Sequence, residues 1–165
     1  MKKTDLPAGI DVTEERLQIA DSVRQLCDKF DDEWWLENER NAEFPHEFHK
    51  AMADAGWLGI TMPEEYGGAN LGVTDAALLM QLIGNSAGAM AACSTIHINL
   101  FGPHAMVKHG TREQKDRMIP PLVDGSHKAC FGVTEPDAGL DTTHITTRAV
   151  KKGARYIVNG QKVWT

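Results

Sequence analysis

The residue types best suited to binding a ligand lie near the C-terminal end of the sequence. Thr134 follows a short β-prone segment and would end a strand, where its hydroxyl and backbone N–H can donate hydrogen bonds to a ligand. The small residues Ala138 and Gly139 would let backbone N–H groups approach a pyrophosphate closely. Trp164 offers a flat apolar face against which a planar ring can pack. No G-x-G-x-x-G motif occurs, so these residues would not form a Rossmann-type nucleotide site.

Each of these residues also has a structural explanation when it is taken alone. Thr134 can belong to a turn that ends a strand, Gly139 can be a turn glycine, and Trp164 can be a core residue of a sheet. Because a single motif discriminates poorly between such explanations, a functional assignment needs an ordered set of segments.

Other groups that could do chemistry are better explained as structural. Glu64 and Glu65 are adjacent carboxylates in a loop, where such pairs are usually solvated, and we assign them no chemistry. Of His97, His104 and His109, only the first two share a helix face, and no carboxylate lies nearby in the sequence. We therefore expect structural histidines and no metal site.

Length, charge and cysteine usage limit the class of protein. The 165 residues are 42% hydrophobic and 24% charged, which allows one domain with an apolar core. A net charge of −6 disfavours nucleic acid as a partner. The longest apolar region, 76–107, is too interrupted by polar residues to span a bilayer. The basic start lacks the apolar run of a signal peptide, and the three widely spaced cysteines form no obvious disulfide framework, so we expect a cytoplasmic protein.

The spacing of apolar residues predicts helices over the first 125 residues. The first helix begins at a capping box over 11–14, with Thr13 as a second candidate cap, and its apolar face continues through Phe30. A second helix begins near Pro45 and stops at Gly56. The pattern therefore predicts an N-terminal helical domain.

Three further features refine this helical prediction. The two tryptophans at positions 34 and 35 are expected to form a packing patch on the surface. Residues 86–109 are expected to form one long, mostly buried helix with a kink at Pro103. A capping box at 111–114 opens the next helix, which Pro120 and Pro121 close.

The pattern changes to short β-prone segments after Gly125. Four strands are predicted, over 129–134, 145–150, 155–158 and 162–165. Hairpin turns are predicted at Lys152-Gly153 and Asn159-Gly160. Such a sheet with no second layer would leave an apolar face wet, so we expect the chain to end inside a domain, through truncation or because the gene product is a broken half.

Four segments, in order along the chain, resemble motifs of the acyl-CoA dehydrogenase family. Residues 57–68 are similar to an early family loop that ends in P-E-E-Y-G-G, and 109–125 to its G-T-x-E-Q-K helix. The segment 131–141, with F-G-V-T-E-P-D-A-G, resembles the signature that opens the family's middle domain. Residues 159–165 are similar to its N-G-x-K-x-W segment. Any one match is weak, whereas four in this order at these spacings are specific.

The resemblance implies an α+β fold in which an N-terminal all-α helical domain, residues 1–125, precedes the first strands of an antiparallel β-domain, residues 126–165. The chain would be truncated before the family's C-terminal helical bundle. The complete protein would be a homo-oligomer that binds FAD, oxidises a saturated acyl-CoA to the trans-2-enoyl-CoA, and passes electrons to an electron-transferring flavoprotein. The family's catalytic base is a Glu of the bundle, so the resemblance implies no catalytic residue in this chain and an inactive fragment.

The resemblance also implies a set of ligand-binding positions in the two C-terminal motifs. The cofactor-binding residues would be Phe131, Val133, Thr134, Gly139, Leu140, Trp164 and Thr165, and Leu140 would also contact the substrate. Two positions depart from the family pattern. Leu140 stands where the family commonly has Ser, so only its backbone N–H can donate. Thr165 follows Trp164 directly, where the family often has Ile and then Thr.

Two other functions remain open from the sequence alone. A flavin-dependent monooxygenase or oxidase of the same fold would share these motifs. A non-catalytic helical scaffold would share the helices and bind no FAD. The FAD hypothesis depends on 131–140 and 164–165 lying together as one wall of a pocket.

Overall fold

A computed structural model describes residue 6 and residues 9–164 of the chain. The chain divides into two compact units, Met1–Ala129 and Cys130–Thr165, which we call the helical unit and the C-terminal unit. The helical unit contains eight α-helices within its described residues: α1 Glu14–Cys27, α2 Asp32–Asn41, α3 His46–Asp54, α4 Val73–Gly84, α5 Ala89–Phe101, α6 His104–His109, α7 Arg112–Met118 and α8 Pro120–Val123. The prediction of a helical N-terminal part followed by antiparallel strands is confirmed.

Side-chain caps fix where several helices begin. Thr13 caps α1, since its hydroxyl accepts a hydrogen bond from the Arg16 N–H at 3.2 Å. Thr111 and Gln114 form the predicted capping box of α7. At the other end, α1 stops at Cys27 and not at Phe30, although Phe30 is buried. The apolar pattern therefore continues into the connection beyond the helix.

The core of the helical unit is built around Phe48, which is fully buried on α3. Its ring packs edge-on against Phe30 at 5.3 Å and against Trp35 at 5.0 Å between centroids. Trp35 belongs to α2 and is buried, so the prediction of both tryptophans in a surface patch is wrong for this residue. Such edge-to-face aromatic contacts add to the stabilisation that burial provides.

Two helices replace the single long helix predicted over 86–109. Helix α5 ends at Phe101 and α6 begins at His104, with Gly102 and Pro103 between them. Proline lacks the N–H that would continue the hydrogen-bond ladder, so the break is sharper than the predicted kink. Helix α7 ends at Met118, just before the two prolines as predicted, and Pro120 also opens α8 at the position where a missing N–H costs nothing.

Close backbone packing shapes the loop between α3 and α4. A Cβ on Gly68 would lie 2.0 Å from the Met62 carbonyl oxygen, so only glycine fits there. This loop carries Met62 and Tyr66 into a second apolar cluster with Ile119 and Val123. The P-E-E-Y-G-G segment therefore has a structural role in joining the loop to α8 and the end of α7.

The C-terminal unit contains one antiparallel hairpin within its described residues. Strand β1, Arg148–Lys152, pairs with β2, Arg155–Asn159, and Val150 lies opposite Ile157. The hairpin turn predicted at Lys152-Gly153 lies one residue later, at Gly153-Ala154, and Gly153 adopts a positive φ of 61°. All residues of both strands are exposed.

The other two predicted strands do not form. Residues 129–134 and the described part of 162–165 contain no strand, and the segment predicted to start at 145 enters β1 only at Arg148. The turn predicted at Asn159-Gly160 ends β2 without starting another strand. Gly160 instead has a φ of 155°, and a Cβ there would lie 2.1 Å from Thr147 Oγ1, so close packing determines this turn.

No helix among the described residues is both long enough and apolar enough to cross a membrane.

Candidate functional site

The two C-terminal motifs lie side by side in the C-terminal unit. The Val163 N–H donates a hydrogen bond to the Thr134 carbonyl oxygen at 3.0 Å. The Lys162 Nζ reaches the Val133 carbonyl oxygen at 2.7 Å. One backbone bond and one side-chain bond therefore join 133–134 to 162–163, which belong to two segments predicted as strands.

A buried carboxylate lies at the centre of this junction. The Glu135 side chain is 5% exposed and forms an ion pair with Lys162 Nζ at 2.9 Å. Its other oxygen accepts hydrogen bonds from the Thr146 N–H at 2.7 Å and the Thr146 hydroxyl at 2.9 Å. The Thr147 N–H donates to the first oxygen at 2.9 Å. The carboxylate thus joins the 133–135 segment to the approach of β1 and to Lys162.

These donors determine the charge state of Glu135. Hydrogen bonds from Thr147, from the Thr146 N–H and from Lys162 hold the pKa of the Glu135 carboxyl well below its usual range. Desolvation opposes this shift but is the smaller influence. The side chain is therefore an anion at neutral pH, and its role is to accept hydrogen bonds.

A tight turn follows Glu135 and presents the next residues of the motif. The Glu135 N–H donates to the Ala138 carbonyl oxygen at 3.0 Å, and the Ala138 N–H donates back at 3.2 Å. Ala138 is buried, whereas Gly139 and Leu140 are exposed. No heavy atom lies within 4 Å of a Cβ built on Gly139, so the space beside its backbone is open. This is the space that a pyrophosphate group would need at Gly139.

Hydrogen bonds join some of the segments that carry the predicted cofactor-binding residues. Val133 and Thr134 are half-buried and are bonded to the segment that ends at Trp164. The Trp164 side chain is 92% exposed and the residue has a positive φ of 60°, so its ring is available to a ligand and is not a core residue. Phe131 is 50% exposed. Thr165 lies outside the described residues.

Sequence reasoning missed Glu135 and Lys162 as parts of the site. Both belong to segments that carry the family resemblance, one in T-E-P and the other in N-G-Q-K-V-W. The first motif contains three acids, Glu135, Asp137 and Asp141, and the second contains one base, so the sequence did not identify which acid pairs with Lys162. Thr146 and Thr147, by contrast, lie outside both motifs and gave no signal.

The helical unit contains a separate apolar pocket of about 330 Å³. It is lined by Thr61, Val73, Ala76, Ala77, Met80, His97, Leu100, Phe101 and His104. The exposed His97 ring lies against Phe101 with centroids 4.5 Å apart. No group of three or more metal-ligating side chains occurs among the described residues.

The family of the chain follows from this fold together with its motifs. Residues 13–126 match the family model described as acyl-CoA dehydrogenase, N-terminal domain. The chain therefore belongs to the acyl-CoA dehydrogenase family, as the four motifs predicted.

Individual relatives agree with this assignment. The chain is 34% identical over 155 residues to the mitochondrial isovaleryl-CoA dehydrogenase of Pongo abelii, covering 93% of this chain and 36% of that protein. A solved glutaryl-CoA dehydrogenase from Mycobacterium smegmatis in complex with FADH2 superposes with a TM-score of 0.80 at 30% identity, over 93% of this chain and 39% of that one. The prolyl acyl carrier protein oxidase AnaB has a TM-score of 0.75 at 27% identity, over 92% and 40%. The chain spans less than half the length of each of these proteins.

Proposed function

We propose that this chain supplies the helical domain and the first part of the β-domain of an FAD-dependent acyl-CoA dehydrogenase. Residues 1–125 would form the first domain and 126–165 the start of the second. The observation that carries the proposal is the junction of the two motifs, in which the Val163 N–H bonds the Thr134 carbonyl next to the exposed Trp164. Two segments that resemble flavin-binding motifs are thereby adjacent.

The exposed groups of the C-terminal unit suit the parts of FAD. The half-buried Thr134 would donate to the acceptor edge of the flavin ring, and the Trp164 face would pack against that ring. The open backbone at Gly139 would approach the pyrophosphate, and the Leu140 N–H would add a donor without a side-chain hydroxyl. Phe131 and Val133 would provide apolar contacts around the flavin ring. Bound FAD would supply the hydride acceptor for oxidation of the acyl group.

The apolar pocket of the helical unit suits an acyl chain. Its lining contains aliphatic and aromatic side chains from α4 and α5, such as Met80, Leu100 and Phe101. Burying methylene groups there would remove apolar surface from water. These side chains would hold the acyl group of an acyl-CoA substrate and exclude water from it.

Removal of the α-proton would need a base that we do not assign to this chain. The family resemblance places that base on a C-terminal helical bundle, and the chain covers only 36% of the isovaleryl-CoA dehydrogenase of Pongo abelii and 41% of a probable acyl-CoA dehydrogenase of Bacillus subtilis. General base catalysis typically contributes about 10²- to 10⁴-fold to a rate. We therefore propose that the 165-residue chain by itself does not oxidise acyl-CoA. Turnover of octanoyl-CoA with an artificial electron acceptor would contradict this.

A flavin-dependent oxidase is the second candidate function. The likeness to the prolyl acyl carrier protein oxidase AnaB favours it, since that fold supports a reaction named as an oxidase reaction. Reduction of a flavin-loaded form followed by exposure to oxygen distinguishes the two. Rapid reoxidation with peroxide release favours the oxidase, and slow reoxidation favours the dehydrogenase.

The remaining parts of the proposal concern partners and location. The complete protein would be a homo-oligomer that passes electrons to an electron-transferring flavoprotein, as the family resemblance implies.

A cytoplasmic location is supported by the cysteines, since Cys27, Cys93 and Cys130 are all free thiols. Burial raises the pKa of the Cys27 thiol to about 11, which makes it a poor nucleophile.

FAD binding to the 165-residue chain tests the proposal. Quenching of flavin fluorescence on titration, lost in the Trp164→Ala variant, is the expected result. Tyr156→Ala is the matched control, because Tyr156 is an exposed aromatic residue of β2 outside both motifs. Equal quenching by both variants would contradict the assignment of Trp164 to the flavin.

A further inference from the structure

The Lys162 ammonium group makes two contacts that bracket a single residue. It lies 2.7 Å from the Val133 carbonyl oxygen and 2.9 Å from Glu135 Oε1. Thr134, which lies between these two residues, is bonded through its carbonyl to Val163. The Lys162 side chain therefore contacts the backbone of the residue before the proposed flavin contact and the side chain of the residue after it.

We propose that Glu135 and Lys162 are positioning residues that align Thr134 and Trp164 as one flavin-binding face. The proposal rests on the FAD-binding function proposed above and adds two residues to it. Neither side chain needs to touch the cofactor. Lys162 contacts the two neighbours of Thr134, and Glu135 in turn holds the Lys162 side chain in place.

The burial of the pair makes it an effective brace. Glu135 is 5% exposed and the Lys162 side chain is 25% exposed, so water and salt screen their attraction less than they screen surface pairs. The remaining acceptor positions of the carboxylate are used by Thr146 and Thr147. A buried ion pair is favourable only when its other hydrogen bonds are also made, and the Glu135 carboxylate accepts three besides the one from Lys162.

The rest of the C-terminal unit offers little else to hold these residues. Among its described residues, only Glu135 and Ala138 are buried. The single backbone bond from Val163 to Thr134 would fray without the neighbouring side-chain contacts, since no strand ladder continues on either side of it. The alignment of the two motifs therefore depends mainly on the polar pair.

Charge removal at the pair should have an asymmetric effect. Lys162→Met leaves the Glu135 carboxylate buried without its cation, which is the costly case for a broken pair. Glu135→Gln together with Lys162→Met removes both charges and keeps similar side-chain volumes. We expect the double variant to resemble the unaltered chain more closely than Lys162→Met does.

The experiment measures FAD affinity and amide hydrogen exchange in the same set of full-length chains. The set contains the unaltered chain, Lys162→Met, the double variant, and the control Lys151→Met, whose exposed lysine lies on β1. Partners that orient ligand-binding groups at metal sites typically contribute about 10- to 100-fold in affinity. By that analogy, Lys162→Met should weaken FAD binding about tenfold, with faster exchange of the Val163 N–H and a changed visible spectrum of the bound flavin.

The outcomes separate this proposal from the proposed function. Weakened binding and a changed flavin spectrum in Lys162→Met, with partial recovery in the double variant and no change in Lys151→Met, support the positioning role. If the unaltered chain binds FAD and Lys162→Met binds it equally well, the positioning role is wrong and the FAD assignment stands. If the unaltered chain binds no FAD, its cofactor assignment fails, and unchanged exchange at Val163 in Lys162→Met would overturn the brace as well.

Discussion

Different physical forces stabilise the interior of each of the two units. The helical unit buries a large apolar cluster that includes Phe48, Met52, Leu79 and Ile96, all fully buried. Within the described part of the C-terminal unit, the buried residues are a charged glutamate and an alanine, and both strands are exposed along their length. One unit is organised by hydrophobic burial and the other by a small set of hydrogen bonds to Glu135.

This difference determines which kinds of group each unit exposes. The helical unit offers a pocket lined mainly by apolar side chains. The C-terminal unit leaves open space beside Gly139 and exposes the Trp164 ring. The two units therefore offer different kinds of surface, an apolar pocket in the helical unit and polar and aromatic groups in the C-terminal unit.

The largest expected effect comes from removing the centre of the apolar core. Phe48→Ala should lower the free energy of unfolding by about 3–5 kcal/mol, because it removes a fully buried ring and leaves a cavity beside Phe30 and Trp35. Urea denaturation followed by tryptophan fluorescence measures the change. Phe101→Ala is the control, since Phe101 is 39% exposed and should cost much less. Equal losses in the two variants would show that burial does not organise this unit.

An intermediate effect is expected at the one buried amide of the helical unit's described core. Asn99 donates from Nδ2 to the Leu122 and His127 carbonyl oxygens at 3.2 and 3.4 Å, and its Oδ1 accepts from the Ala129 N–H at 3.1 Å. Asn99→Ala leaves these backbone groups without their partner and should cost about 1–3 kcal/mol of unfolding free energy. Asn41→Ala, at the exposed end of α2, is the control and should change stability little.

The smallest expected effect is a different pH dependence of the two units. Burial, Lys128 and His46 lower the pKa of the buried His49 from 6.5, so folding favours its neutral form. This contribution is complete above pH 6.5 and is lost as the pH falls through the lower pKa of the folded state. Glu135 also has a lowered pKa, but its contribution is complete above 4.5 and is lost only on further acidification.

Thermal melts between pH 8 and pH 5 test this contrast. The melting temperature of the helical unit should fall over this range, and His49→Leu should reduce the fall. Protection of the Thr146 and Thr147 amides should stay constant. If those two amides lose protection before the helical unit weakens, the assignment of charge states is wrong.

Hydrophobic periodicity predicted the helical unit well because burial organises it. The apolar spacing and caps placed α1, α3 and α7 close to their observed starts, and the errors concern interruptions such as Gly102-Pro103. That break depends on how the chain packs after α5, which periodicity does not report. Trp35 was misplaced because a short acidic helix around it has a weak apolar pattern.

The C-terminal unit was predicted less well because burial of apolar side chains does not organise it. Residues 131–134 and 162–164 have the composition of strands, yet they meet through one backbone bond and the Lys162 side chain. β-propensity describes a residue's fit to a pleated sheet and cannot detect a buried ion pair that takes the sheet's place. The family resemblance located these two segments, but the contacts of Lys162 with Val133 and Glu135 depend on the folded chain.

The central claim is that the two C-terminal motifs form one flavin-binding face, and an NMR titration of the isotopically labelled 165-residue chain with FAD tests it most directly. The amide signals of Thr134, Gly139, Leu140 and the indole of Trp164 should shift together and saturate at the same FAD concentration. Shifts confined to the helical unit, or no shift at saturating FAD, would contradict the claim.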